Sequence, residues 1–205
     1  GGKNEKNIGS NQDDEQKRKK TSLLERFSSG IRVGTLYTGD VEGKITAWNV
    51  ANMFVEASLE GHTDSVTSFL SIATLRLLVS SSMDSTVRIW NLRSNAPLKV
   101  LRGHSRGVSS VAFSSEQRVL LSCGFDHEIF VWNPYVETRT SGKLRGHTCS
   151  ILSVKCVEGT KEAISVDIEG NLRVWDLRTL QCVQILAAHE AAGGADEHLY
   201  DHVNN

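Results

Sequence analysis

The four tryptophans of this chain, Trp48, Trp90, Trp132 and Trp175, lie 42, 42 and 43 residues apart, and that spacing constrains the fold more than any other feature. The histidines keep the same step. His62, His104, His147 and His189 are separated by 42, 43 and 42 residues, and leucine stands three residues before each, at Leu59, Leu101, Leu144 and Leu186. Glycine precedes the first three histidines (Gly61, Gly103, Gly146) and Ala188 precedes the fourth. Self-similarity at a fixed period in the low forties means a stack of like supersecondary units, none of which buries its apolar face alone.

Within each repeat the apolar pattern is that of strands. The residues three and one before each Trp are apolar (Ile45 and Ala47, Val87 and Ile89, Ile129 and Val131, Leu172 and Val174), which is the two-residue period of a buried strand. Apolar runs at 66–70, 108–113 and 151–156 predict a first strand in each unit, and those at 77–81, 119–122 and 163–166 predict a second. Segments ending in the leucine column predict an outer strand. Two polar columns run alongside: an acid six residues before each Trp (Glu42, Asp84, Asp126, Glu169) and a hydroxyl ten before it (Thr38, Ser80, Ser122, Ser165).

A Gly-His at one end of such a period and a Trp-Asp or Trp-Asn at the other resembles the WD40-repeat family. The resemblance implies an all-β fold of four WD40 blades, each a four-stranded antiparallel sheet, forming an incomplete, open β-propeller arc. It also implies that a His, an acid, a hydroxyl and the Trp nitrogen of each blade join in one hydrogen-bonded chain. The implied sets are His62/Ser80/Asp84/Trp90, His104/Ser122/Asp126/Trp132 and His147/Ser165/Glu169/Trp175. In such a chain every buried donor has an acceptor, where an orphaned one costs about 1–3 kcal/mol.

Two repeats depart from the pattern. Glu169 is one methylene longer than Asp, so the fourth blade is expected to be looser. In the first, Lys20 stands where the histidine belongs, although Leu24 and Phe27 fall in register with Val66 and Phe69, which predicts a degraded first strand. Only Asp176 follows its Trp in the standard way; Asn49, Asn91 and Asn133 replace it elsewhere, and Asn caps the following turn equally well.

Ser, His and Asp in each repeat raise the reading of a hydrolase, which the repetition argues against. A nucleophile is unique, exposed beside its base and faced by an oxyanion site. These sets recur in every blade and include a buried tryptophan, so we expect no enzyme. The sequence has no phosphate loop, no Gly-x-Ser-x-Gly elbow and no metal-ligand cluster, and no cofactor or metal is expected. His127, His198 and His202 read as isolated surface histidines.

Charge is balanced, with 23 basic and 24 acidic side chains and a net charge of -1, so no field directs the chain to nucleic acid or membrane. The basic run Lys17 to Lys20 sits beside Asp13, Asp14 and Glu15 and reads as solvated. No signal peptide or apolar span is recognisable. Scattered single thiols (Cys123, Cys149, Cys156, Cys182) suit a reducing compartment. The expectation is a cytoplasmic protein, with cilium or nucleus compatible, and oligomeric state left open.

Binding is expected at the tips of the hairpins. In the WD family the residue before the repeat's acid sits there, on the narrower face used for partners, and here that column is Val41, Met83, Phe125 and Ile168. Apolar side chains at a tight turn suit a peptide-binding surface. Asp64 and Arg106, two residues after their histidines, are expected near the same rim, where they set charge preference. The function these readings support is a non-catalytic scaffold for protein–protein interactions.

Two refinements rest on resemblance. The segments ending at Arg93 (DSTVRIWNLR) and Arg178 (EGNLRVWDLR) are similar to the box found in substrate receptors of cullin-type ubiquitin ligases, making both arginines candidate adaptor contacts. The run LSCGFDHEIFVWNPY at 121–135 looks like the long two-propeller, often EF-hand-linked WD-repeat proteins associated with cilia, although no EF-hand loop is present. The second is preferred.

Residues 1–20 hold a single strong apolar side chain, Ile8, and 191–205 are similarly polar, so both are expected to be disordered. Between them the repeats divide at about 21–59, 60–101, 102–144 and 145–187, within 21–190. Propellers of this family usually have seven or eight blades, and four leave terminal sheets facing water. The expectation is therefore a fragment of a longer protein.

Overall fold

A computed structural model of the chain describes residues 34–135 and 140–187. Among the described residues are fifteen strands and no α-helix; a single turn of 3-10 helix spans Ala73–Leu75. The expected disordered stretches, the strand around Leu24 and Phe27, and His189 lie outside the described residues.

Two compact units are distinguished. One holds residues 34–38 and Thr46–Ser58, the bulk of a sheet in the order β1 (Thr35–Gly39), β2 (Ile45–Asn49), β3 (Phe54–Leu59). Its Trp48 Nε1–H donates to Thr38 Oγ1 at 2.8 Å.

The other unit holds Gly39–Ile45 and 59–187. It contains three four-stranded antiparallel sheets in which strands are neighbours in chain order. The second sheet of the chain is β4 (Val66–Ile72), β5 (Leu77–Ser82), β6 (Thr86–Asn91) and β7 (Pro97–Arg102). The third is β8 (Val108–Ser114), β9 (Val119–Gly124), β10 (Glu128–Trp132) and β11 (Thr140–Arg145). The fourth is β12 (Ile151–Cys156), β13 (Glu162–Asp167), β14 (Leu172–Asp176) and β15 (Gln181–Leu186).

The hairpins joining second to third strands share one backbone device. The residue five before each Trp has a left-handed φ: +86° at Gly43, +66° at Ser85, +66° at His127 and +82° at Gly170. Glycine takes that conformation without strain, because no Cβ meets the neighbouring carbonyl. Each first strand also carries a bulge, between Val66 and Ser68, Val108 and Ser110, and Ile151 and Ser153.

Strand alternation gives these sheets two apolar faces, and the core lies between successive sheets. Val79, Val87, Ile89 and Leu101 pack with Val108, Val111, Leu120, Phe130 and Trp132 of the third sheet. Leu121, Cys123, Ile129, Val131 and Leu144 pack likewise with Ile151, Val154, Ala163, Trp175 and Leu177. Each such fully buried Leu, Ile or Val contributes about 1.5–3 kcal/mol of transfer free energy, so these interfaces dominate stability. The bulge residues add polar ties: Thr67 Oγ1 donates to the Val108 carbonyl and Ser109 Oγ to the Ile151 carbonyl, each at 2.6 Å.

Candidate functional site

In the second sheet, Trp90 Nε1–H donates to Ser80 Oγ (2.9 Å), Ser80 Oγ lies 2.8 Å from His62 Nε2, and His62 Nδ1–H donates to Asp84 Oδ2 (2.8 Å). The third sheet repeats this through Trp132, Ser122, His104 and Asp126, at 2.8, 2.7 and 2.8 Å. The carboxylates also hold the chain that follows each histidine: the amides of Thr63 and Ser105 donate to Asp84 and Asp126 at 3.1 Å. Each set thus ties the loop before the first strand to the hairpin of the second and third.

The electrostatics suit a static brace. Burial pushes His62 and His147 below the ordinary imidazole range and outweighs the opposing pull of Asp84 and Asp167, so both rings are neutral at pH 7. Burial pushes the three carboxyls up, but hydrogen bonds more than offset it, from Thr86 and His62 to Asp84 and from His104 to Asp126, and from His147 to Asp167. All three lie below their ordinary value. The serine hydroxyls are fully buried, with the His and the Trp both on one oxygen. Such a hydroxyl has no approach for a substrate, so the Ser-His-Asp set does not provide a hydrolase nucleophile.

The fourth sheet corrects the expected set. His147 Nδ1–H donates to Asp167 Oδ2 at 2.9 Å, with Ser165 Oγ 2.6 Å from Nε2 and Trp175 Nε1 2.8 Å from Ser165 Oγ. Glu169 is exposed and takes no part; its amide donates to Asp167 Oδ1 (3.1 Å), as does that of Asn171 (3.0 Å). The acid has moved two residues earlier, onto the end of β13. A shorter side chain there reaches the ring while capping the turn that Glu169 occupies. Asp40 in the first hairpin caps identically, accepting from the amides of Glu42 (3.0 Å) and Lys44 (2.8 Å). The expected looseness of the fourth blade loses its reason, since the chain from Trp175 to Asp167 is complete. The signal was present in the sequence: the repeats with Glu six before Trp are those with Asp eight before it.

A further column escaped sequence reading. Two residues before Trp stand Arg88, Phe130 and Arg173, flanking the Gly-His turn. A Cβ on Gly61 would lie 2.4 Å from the Arg88 guanidinium, and one on Gly146 2.8 Å from that of Arg173. In the third sheet Phe130 stacks on Trp132, with centroids 5.4 Å apart, and Lys143 sits 4.1 Å over its ring while pairing with Glu128 at 2.6 Å.

The hairpin tips lie at the end of the sheets that carries these braces. Val41 and Ile168 project into solvent, 77% and 56% exposed. Met83 is exposed but leans on the next loop, where a Cβ on Gly107 would be 2.7 Å from its sulfur, and Phe125 is half-buried. The tip amides are pinned: Met83 to the Ser65 carbonyl, Phe125 to Gly107 and Ile168 to Ser150, at 2.9, 2.9 and 3.0 Å. Asp64 and Arg106 are exposed in the same loops. Arg93 and Arg178 are exposed at the opposite end, in turns capped by Asn91 (2.8 Å) and Asp176 (2.7 Å).

Among the described residues no three His, Cys, Asp or Glu side chains cluster as a metal would need. The four cysteines are free. Burial pushes the Cys123 thiol up to about 12 and that of Cys156 to about 11, so neither is a nucleophile at pH 7.

Comparison with known proteins agrees with this geometry. Residues 54–91 and 95–133 match the WD40 family, described as WD domain, G-beta repeat. A stretch of 51 residues, 25% of the chain, is 39% identical to Cilia- and flagella-associated protein 337 B of Tetrahymena thermophila. That stretch spans 4% of the relative's length. Residues 54–91 and 95–133 thus carry WD40 repeats, and the sheets they help to build are propeller-type blades.

Proposed function

We propose that this chain is a non-catalytic scaffold that docks protein partners on the hairpin end of its sheets, through Val41, Met83, Phe125 and Ile168, with Asp64 and Arg106 setting charge preference. The observation that carries the reading is the pairing of apolar tip side chains with pinned tip backbones. A surface already ordered loses little conformational entropy when a partner binds. Met83 offers adaptable contact, and Phe125 an aromatic anchor.

The relative named for cilia and flagella supports placing the scaffold there, in the cytoplasmic space of the cilium. Ligase recruitment through Arg93 and Arg178 is a second reading, favoured by the exposure of both arginines. The two readings use opposite ends of the sheets, so variants separate them. Partners co-precipitated from ciliated cells are compared for the wild type, Phe125→Ala with Met83→Ala, and Arg178→Ala with Arg93→Ala. Loss with the first pair is expected, at about 2 kcal/mol or roughly thirtyfold in Kd for a hot-spot anchor. Retention with that pair and loss of ligase components with the arginine pair would reject the scaffold reading as stated.

A further inference from the structure

The end of the sheets opposite the hairpin tips carries a repeated cation that neither the braces nor the tips account for. The turns joining first to second strands hold Arg76, Arg118 and Lys161, 42 and 43 residues apart. All three are exposed, and none has a side-chain partner among the described residues.

The turn itself does not call for the charge. Arg76 and Arg118 have left-handed φ, +53° and +54°, which glycine holds with less strain than arginine. In the fourth sheet Gly159 takes the left-handed conformation, at +73°, and the cation is still kept, at Lys161. The backbone beneath is fixed: the Arg76 carbonyl accepts the Leu92 amide at 2.9 Å, and the Lys161 carbonyl that of Leu177 at 2.8 Å. Those bonds join the two turns of one sheet and bring Arg93 and Arg178 beside the column. At the corresponding position the third sheet has Tyr135, 47% exposed.

The acids of the same turns leave the column unneutralised. Glu116 and Glu158 line the hollow between β4, β8 and β12, and neither forms an ion pair among the described residues. Glu162 follows Lys161, so the fourth sheet holds the weakest of the three cations. Stacked sheets lie about 10 Å apart and an extended chain rises about 3.3 Å per residue, so a carboxylate at every third residue meets successive cations. Tyr135 adds contact area for a side chain between them. A nucleic acid fits less well, because a charge at every nucleotide would bring phosphates against Glu116 and Glu158.

We propose that this end of the sheets binds an extended acidic segment of a partner protein, laid across Arg76, Arg118 and Lys161. The contact is electrostatic and exposed, so it is weak and salt-dependent. It does not rest on docking at the hairpin tips, which lie at the other end.

Fluorescence anisotropy of the full chain tests it, with a labelled peptide of about 12 residues bearing Glu at every third position, in about 50 mM salt. Binding is expected below about 200 µM protein and should weaken as salt rises. Arg76→Gly with Arg118→Gly should weaken it roughly tenfold without lowering Tm, since glycine relieves the left-handed φ. Arg76→Glu with Arg118→Glu should weaken it further, Lys161→Ala less than either, and Met83→Ala with Phe125→Ala not at all. Near-ultraviolet circular dichroism checks that each variant is folded. Arg93 and Arg178 stay in every variant, so failure here leaves the ligase reading untouched. No binding up to that concentration overturns the proposal. So does an affinity indifferent to the glycine pair, or tighter binding of a single-stranded RNA of equal charge.

Discussion

Replacing Asp167 by alanine removes the acceptor for His147 Nδ1–H and for the amides of Glu169 and Asn171. The turn amides regain water, but the ring does not, because the His147 and Asp167 side chains are each 1% exposed. Loss of a hydrogen bond to a charged group costs about 1.5–3 kcal/mol, and an orphaned buried donor takes the value to the top of that range. We therefore expect about 3 kcal/mol, or a fall in Tm of roughly 6–12 °C for a domain of this size. Glu169→Gln alters only an exposed side chain and should stay within about 0.5 kcal/mol. Thermal unfolding followed by tryptophan fluorescence compares the two. Stability in stacked repeats is partly local, so hydrogen exchange of the β13 and β14 amides supplies a second readout. An equal or greater cost for Glu169→Gln would refute the assignment of Asp167 as the histidine's partner.

Two further outcomes follow from the geometry. Gly124→Ala places a Cβ 2.2 Å from the Gly107 carbonyl oxygen and 3.0 Å from Val108 Cα, both backbone, and should cost about 1–3 kcal/mol; Gly159→Ala, with nothing within 4 Å, bears only the strain of a φ of +73° and should cost less in the same melting assay. Acid should destabilise the fold in two stages. The folded-state pKa of His62 and His147 is lowered, so the unfolded chain binds protons first and stability falls once pH drops below about 6.5. Asp84, Asp126 and Asp167 are also lowered; their contribution is present above about pH 3.9 and is lost as pH falls through the folded values. Urea midpoints measured from pH 8 to pH 3 should show both stages, and a midpoint that rises between pH 6.5 and 5 would contradict the neutral buried imidazoles.

Much of the fold was legible because repetition reports packing. A Trp, a Leu and a His held at one period each fill one place in a sheet, and alternation around each Trp identified the strands that end at Asn91, Trp132 and Asp176. The braces of the second and third sheets were legible for the same reason. The fourth was misread because the column six before Trp was taken as the acid in every repeat. Position in a column cannot say whether a carboxylate points at the ring or into solvent, which depends on where the strand ends and the turn begins.

The amino-acid sequence alone determined the number of repeats, the all-β class and the residue types of the braces in the second and third sheets, since all follow from local alternation and a fixed period. Only the tertiary structure decided that Asp167 serves His147 and that Met83 leans on Gly107 while Ile168 stands free. Reach, burial and coverage are relations between segments some twenty to forty residues apart, and side-chain periodicity within one segment carries no record of them.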